Sequence, residues 1–152
     1  MMSMKFQTIL LLLSTLLISS QFIIANEDKE EARPEVRLAA AKETLLESSK
    51  ISLVYVKGLV CPSCAIGIRK NLSKMKGVDK KRFKDGIDMN PETQLVSIAL
   101  KDGAKLNSKD LIERVEDAGY VAVEEYRLHE SHLDALQFKQ DATIEVVHHT
   151  HK

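Results

Sequence analysis

Two cysteines set three positions apart are the residues of this sequence whose type and spacing could do chemistry. They stand in KGLVCPSCAIGIRKNL, residues 57–72, as Cys61 and Cys64, and the chain has no others. The thiolate is the reactive and metal-binding form, and a helix N-terminus stabilises negative charge. The pattern predicts Cys64 at or just inside the first turn of a helix and Cys61 in the loop before it. Free backbone N–H groups there can hydrogen-bond both sulfurs. Two thiolates on one loop suit a soft ion of low coordination number, Cu(I) first and Hg(II) second. The same pair can instead exchange electrons as a thiol–disulfide couple, or close as an inert staple. A staple over so short a loop would constrain the unfolded chain by less than the ~3 kcal/mol of a 15-residue loop, which makes stapling a weak reason for this spacing. A structural zinc site usually takes four ligands. All five histidines, at 129, 132, 148, 149 and 151, lie beyond the last strand expected of the domain.

The elements that must position the pair follow from periodicity. ISLVYV, from Ile51, is β-rich, with Val54 and Val56 on one face and Leu53 and Tyr55 on the other. Gly58 ends it. Ala65, Ile68, Leu72 and Met75 then recur at spacings of three and four, a helical stripe stopped at Gly77. DGIDM reads as a short strand, NPETQ as its turn, and LVSIAL as the next strand. SKDLIERVEDAGY reads as a second helix, capped by Asn107 or Ser108 and stopped at Gly119. VAVEEY closes as a strand. The order βαββαβ over residues 50–127 predicts an α+β ferredoxin-like sandwich, two helices on one face of a four-stranded antiparallel sheet.

The flanks read differently. Residues 1–25 have the layout of a signal peptide: a basic start at Lys5, the apolar run ILLLLSTLLI, then Ala25 and an abrupt charged stretch. The protein is therefore expected to be periplasmic or secreted, with membrane anchoring through an uncleaved segment as the alternative. Residues 26–49 read as a linker with a short helix in EVRLAAAKETLLESS, whose apolar positions are Leu38, Leu45 and Leu46. Residues 128–152 form a C-terminal extension, with a short helix expected in HESHLDALQF and a strand in ATIEVV. The tail histidines His148, His149 and His151 are close enough to chelate Cu(II), Zn(II) or Ni(II) loosely. The 22 basic and 22 acidic residues cancel, which gives no argument for nucleic acid. Eight of the basic residues fall between Arg69 and Lys84, opposed only by Asp79. They read first as a solvated face and second as a surface that steers an acidic partner.

With Gly58-Leu59-Val60-Cys61-Pro62-Ser63-Cys64, the Gly77-Val78 pair and Ala118-Gly119-Tyr120 in this order, residues 51–126 resemble the heavy-metal-associated domains. That family includes copper chaperones, the N-termini of metal-pumping ATPases and periplasmic mercury-binding proteins. The resemblance implies that Cys61 and Cys64 are the metal ligands and that Tyr120 sits on the loop beside them. It implies a metallochaperone or scavenger, not an enzyme, that binds Cu(I) or Hg(II) and passes it by ligand exchange. The receiver would be a metal-transporting membrane protein or another carrier. Leu59 stands where the family usually has Met, a side chain that packs inward. Pro62 stiffens the loop, and residues 79–86 are longer than the family's usual connection. The rival reading is an exported thiol–disulfide oxidoreductase using Cys61-Pro62-Ser63-Cys64. That fold normally sets a cis-proline against the pair, and the later proline here, Pro91, reads as a surface turn. No histidine in the domain stands ready as a base, and no glycine-rich phosphate loop is present.

Overall fold

The computed structural model describes residues 31–63, 65–139 and 144–147. The expected signal segment, Cys64 and the tail histidines lie outside the described residues. The elements in chain order are α1 (Pro34–Glu47), β1 (Ile51–Lys57), α2 (Ala65–Leu72), β2 (Ile87–Asn90), β3 (Leu95–Ala99), α3 (Ser108–Glu116), β4 (Val121–His129), β5 (His132–Phe138) and β6 (Ile144–Val147). The strands form one antiparallel sheet in the order β2-β3-β1-β4-β5-β6. Its first four strands with α2 and α3 are the ferredoxin-like βαββαβ unit.

The alternation in β1 divides the core in two. Val54 and Val56 face α2 and α3, where they pack with Leu59, Ile68, Leu72, Ile87, Val96, Ile98, Leu111 and Val115. Each of these is almost wholly withdrawn from water, and burying such a side chain stabilises by about 1.5–3 kcal/mol. Asn107 caps α3, its side-chain oxygen accepting from the Asp110 N–H at 3.0 Å. Gly67 faces the segment that follows α3: a Cβ there would lie in ordinary contact, 3.8 Å from the Cβ of Ala118.

The other face is covered by α1. Leu53, Tyr55, Leu95 and Tyr126 pack there with Ala41, Ile51 and Ala135, and with Leu38 and Leu45 at the edge. What reads in sequence as a linker is therefore, from Pro34, a packed layer of the fold. The expected inward positions need one change: Leu46 is 63% exposed, whereas Arg37 is 7% exposed. The guanidinium of Arg37 lies 3.6 Å from the Tyr55 ring centroid. It donates to the Tyr126 hydroxyl at 3.2 Å and to the Ala32 carbonyl at 2.9 Å. The Tyr126 hydroxyl in turn donates to Glu124 at 2.6 Å. Burial, then the Glu124 carboxylate, pushes the Tyr126 hydroxyl far above its ordinary range.

The long connection of residues 79–86 holds α1 in place. Arg82 donates to the Ser48 hydroxyl at 2.7 Å and to the Lys50 carbonyl at 2.8 Å, which clamps the end of α1 to the start of β1. Gly86, at φ 83°, closes the connection where a Cβ would meet Val78 and the Asp79 carbonyl.

The C-terminal expectation is corrected. Residues 129–138 are not a helix. They form the turn at Glu130-Ser131 and then β5, which pairs with β4 from Glu124↔Gln137 to His129↔His132. Leu133, Leu136 and Phe138 suit either period, but Ala135 joins Leu133 against the α1 face while Phe138 packs on the opposite core. Alternate side chains thus meet opposite faces of the sheet, the arrangement of a strand covered on both sides. Glu130 takes the left-handed conformation of the turn, φ 54°. The strand expected in ATIEVV is β6, and the sheet runs on past residue 127.

Candidate metal-binding loop

The cysteine loop joins β1 to α2 at one end of the sheet. Gly58 leaves β1 at φ 85°, a conformation that costs glycine nothing and strains other residues. The turn is closed by the Val60 N–H donating to the Gly58 carbonyl at 2.9 Å. Leu59 is fully buried in the α2/α3 core and anchors the loop. The inward packing expected for this position is what the structure has. Val60 and Cys61 are half-buried, Pro62 and Ser63 exposed, and α2 begins at Ala65. Thus Cys61 lies in the loop ahead of the helix, where the sequence places it, and stands open to approach from solvent.

Cys61 is disulfide-bonded, and the chain's other cysteine is Cys64. The sulfur also lies 3.4 Å from the Ser63 hydroxyl. A disulfide sulfur has no proton, so the hydroxyl is the donor. The sequence reading missed Ser63. Its signal was a hydroxyl two residues from a thiol within the pair, where it can also solvate a thiolate.

Tyr120 lies between the helix core and the start of the loop. Its ring packs partly buried on the α2/α3 core, and its edge lies against Gly58, 3.6 Å from where a Cβ would stand. Its N–H donates to the Val115 carbonyl at 3.1 Å, which fixes the α3–β4 corner beside the loop entrance. Around the loop stand exposed apolar side chains, Ile66 at 65% and Val121 at 52% exposed.

The basic run does not act as one unit. Lys70, Lys74, Lys76, Lys80, Lys81 and Lys84 are exposed, while Arg82 is the α1 clamp described above. An open groove of about 530 Å³ lies at the other end of the sheet, along Leu45, Ile51, Leu106 and Leu128, and does not include Cys61. Among the described residues no group of three or more His, Cys, Asp or Glu converges as a cation cage. No helix among them is long and apolar enough to cross a membrane.

The family model described as heavy-metal-associated domain matches residues 53–121. The mercuric transport protein periplasmic component of Pseudomonas fluorescens is 31% identical over 83 residues, 55% of this chain and 84% of that protein. The protein of the same name from Salmonella typhi is 31% identical over the same shares, and that from Serratia marcescens 29%. No solved structure matches the chain.

Proposed function

Since the chain belongs to the heavy-metal-associated domain family, we propose that it is an exported carrier of a soft heavy-metal ion, held between Cys61 and Cys64 as a bis-thiolate. The observation that carries the reading is an exposed cysteine loop on a family-matched βαββαβ unit, with Leu59 as its buried anchor. Hg(II) comes before Cu(I), the reverse of the order set by ligand softness alone. The relatives that match over most of their length are named for mercuric transport and for the periplasm. The cargo is bound and released without net chemistry, so the protein is a carrier rather than an enzyme.

The loading step follows from the chemistry of the pair. The disulfide is first reduced by an external dithiol, which supplies two electrons and two protons and is itself oxidised to a disulfide. Hg(II) then displaces both protons as it bonds to the two sulfurs. The α2 N-terminus and the Ser63 hydroxyl stabilise negative charge on the thiolates. Exposure of the loop lets a thiolate of a receiving protein add to the ion as a third ligand. One of the carrier's own sulfurs then leaves. That receiver is a metal-transporting membrane protein or a second carrier.

The test is a competitive titration of the reduced chain with Hg(II) and Cu(I) in parallel, beside the Cys61→Ser/Cys64→Ser variant. One tight equivalent, abolished in the variant, is the expected result, with the ratio of the two affinities ranking the metals. Cysteine-independent uptake alone would overturn it. The disulfide at Cys61 favours a second reading, thiol–disulfide exchange by Cys61-Pro62-Ser63-Cys64. That reading requires turnover of a substrate disulfide with no dependence on metal, and a reduction potential high enough to oxidise a partner dithiol.

A further inference from the structure

The β4–β5 hairpin puts two histidines directly opposite one another at the end of the sheet remote from Cys61. The register sets His129 against His132 across the turn. The same register joins Lys57, at the cysteine end of β1, to Val121, at the opposite end of β4 from His129. Directly opposed residues of an antiparallel pair have their Cβ atoms about 4.5–5.5 Å apart on one face. Two imidazoles there can meet a single ion at nitrogen–metal distances of about 2.0–2.1 Å. Both histidines are exposed.

The surroundings suit a cation. Asp134, next along the same face of β5, has Oδ1 3.5 Å from His132 Nε2. That carboxylate adds a favourable field for a cation held by the imidazoles. Arg127, opposite Asp134 in the register, is paired with Glu125 at 2.8 Å. Glu130 in the turn adds a further exposed carboxylate to this corner.

We propose that His129 and His132 form a cross-strand bis-imidazole site for a borderline divalent cation, Cu(II) foremost, separate from the cysteine loop. Imidazole nitrogens select Cu(II), Ni(II) and Zn(II) over Ca(II) or Mg(II), and Cu(II) heads the affinity order of the divalent series. Water completes the coordination, because the site offers two protein nitrogens. The hairpin, not helical spacing, creates the chelate. It also keeps the site chemically distinct from the thiolates: one end of the sheet takes a soft ion and the other a borderline one.

The test removes the other ligands first. The full chain carrying Cys61→Ser, Cys64→Ser, His148→Ala, His149→Ala and His151→Ala is titrated with Cu(II) against a competing chelator and followed by electron paramagnetic resonance. One equivalent with superhyperfine coupling to two imidazole nitrogens is expected. Adding His129→Ala or His132→Ala should weaken binding at least about tenfold, since losing even an outer-sphere partner of a metal ligand costs 10–100-fold. Circular dichroism checks that these exposed changes leave the fold intact. No bound Cu(II) in the first variant, or equal affinity after either hairpin change, would overturn the proposal. Because the cysteines are absent throughout, the outcome is independent of whether the loop carries Hg(II).

Discussion

The two faces of the sheet are built on different physics. The α2/α3 face is an apolar interior in which Ile68, Leu72, Val96, Ile98 and Val115 all lie within 1% of full burial. The α1 face has a buried cation at its centre, Arg37, whose neighbours Tyr55, Tyr126 and the Ala32 carbonyl take up its charge and its donors. An apolar core tolerates substitution by volume. A buried polar cluster is stable only while its donors and acceptors stay paired. The cysteine loop grows out of the first kind of face, through Leu59, and the second stiffens the sheet from behind.

The largest change is expected from the apolar face. Leu72→Ala should cost about 2–5 kcal/mol, the range for emptying a buried leucine site, as read by urea denaturation of the oxidised chain. Because α2 carries the loop, metal affinity of the reduced variant should fall with it. Arg37→Ala comes next. It removes a charge-assisted set of hydrogen bonds and leaves the Ala32 carbonyl without its guanidinium donor, for about 1.5–3 kcal/mol in the same measurement. Tyr126 keeps Glu124 as its acceptor in this variant, and the cysteine loop on the other face should bind metal as before. Equal losses of metal affinity in the two variants would erase the distinction between the faces.

Alkaline titration separates the faces without a large change in structure. The folded Tyr126 hydroxyl is raised above its ordinary value of 10.0, by burial first and by Glu124 second. Tyr55 is raised as well, chiefly by burial and against the pull of Arg37. A raised folded value means that the native state holds its proton longer than the unfolded chain. The stabilisation is therefore complete below pH 10 and is lost as pH climbs above it. Stability followed by urea denaturation should decline above pH 10, and Tyr126→Phe should flatten that decline. The smallest effect belongs to neither face. Asp102 is held below its ordinary value by the Lys50 ammonium at 2.6 Å, but the pair lies in open solvent. Asp102→Asn should leave the thermal midpoint unchanged within error, because exposed ion pairs are screened.

The apolar face and the loop were legible in the sequence because their signals are local. Alternation in ISLVYV assigned Val54 and Val56 to one side and Leu53 and Tyr55 to the other, as the structure has them. The stripe Ala65-Ile68-Leu72-Met75 marked α2, although the helix ends at Leu72 and residues 73–77 run on as turns. Of the two candidate caps, Asn107 is the one that starts α3. Glycine at 58 ended β1 ahead of the pair, and the inward packing at 59 was implied by the family resemblance. The second face was not legible, because an arginine at the centre of a helix reads as solvent-facing unless its distant partners are known, and Tyr126 lies 89 residues away. Leu46 is apolar yet 63% exposed for the same reason, since which side of α1 is covered depends on distant segments.

What this sequence determined by itself was the alternation, the helical stripes and the two thiols three residues apart, since each depends on neighbours along the chain. Tertiary structure alone decided which segment closes the second face of the sheet and that residues 132–138 are a strand. It alone paired His129 with His132 across a turn. Those outcomes rest on contacts between distant segments, where a competing local preference is overruled by the surface that must be covered.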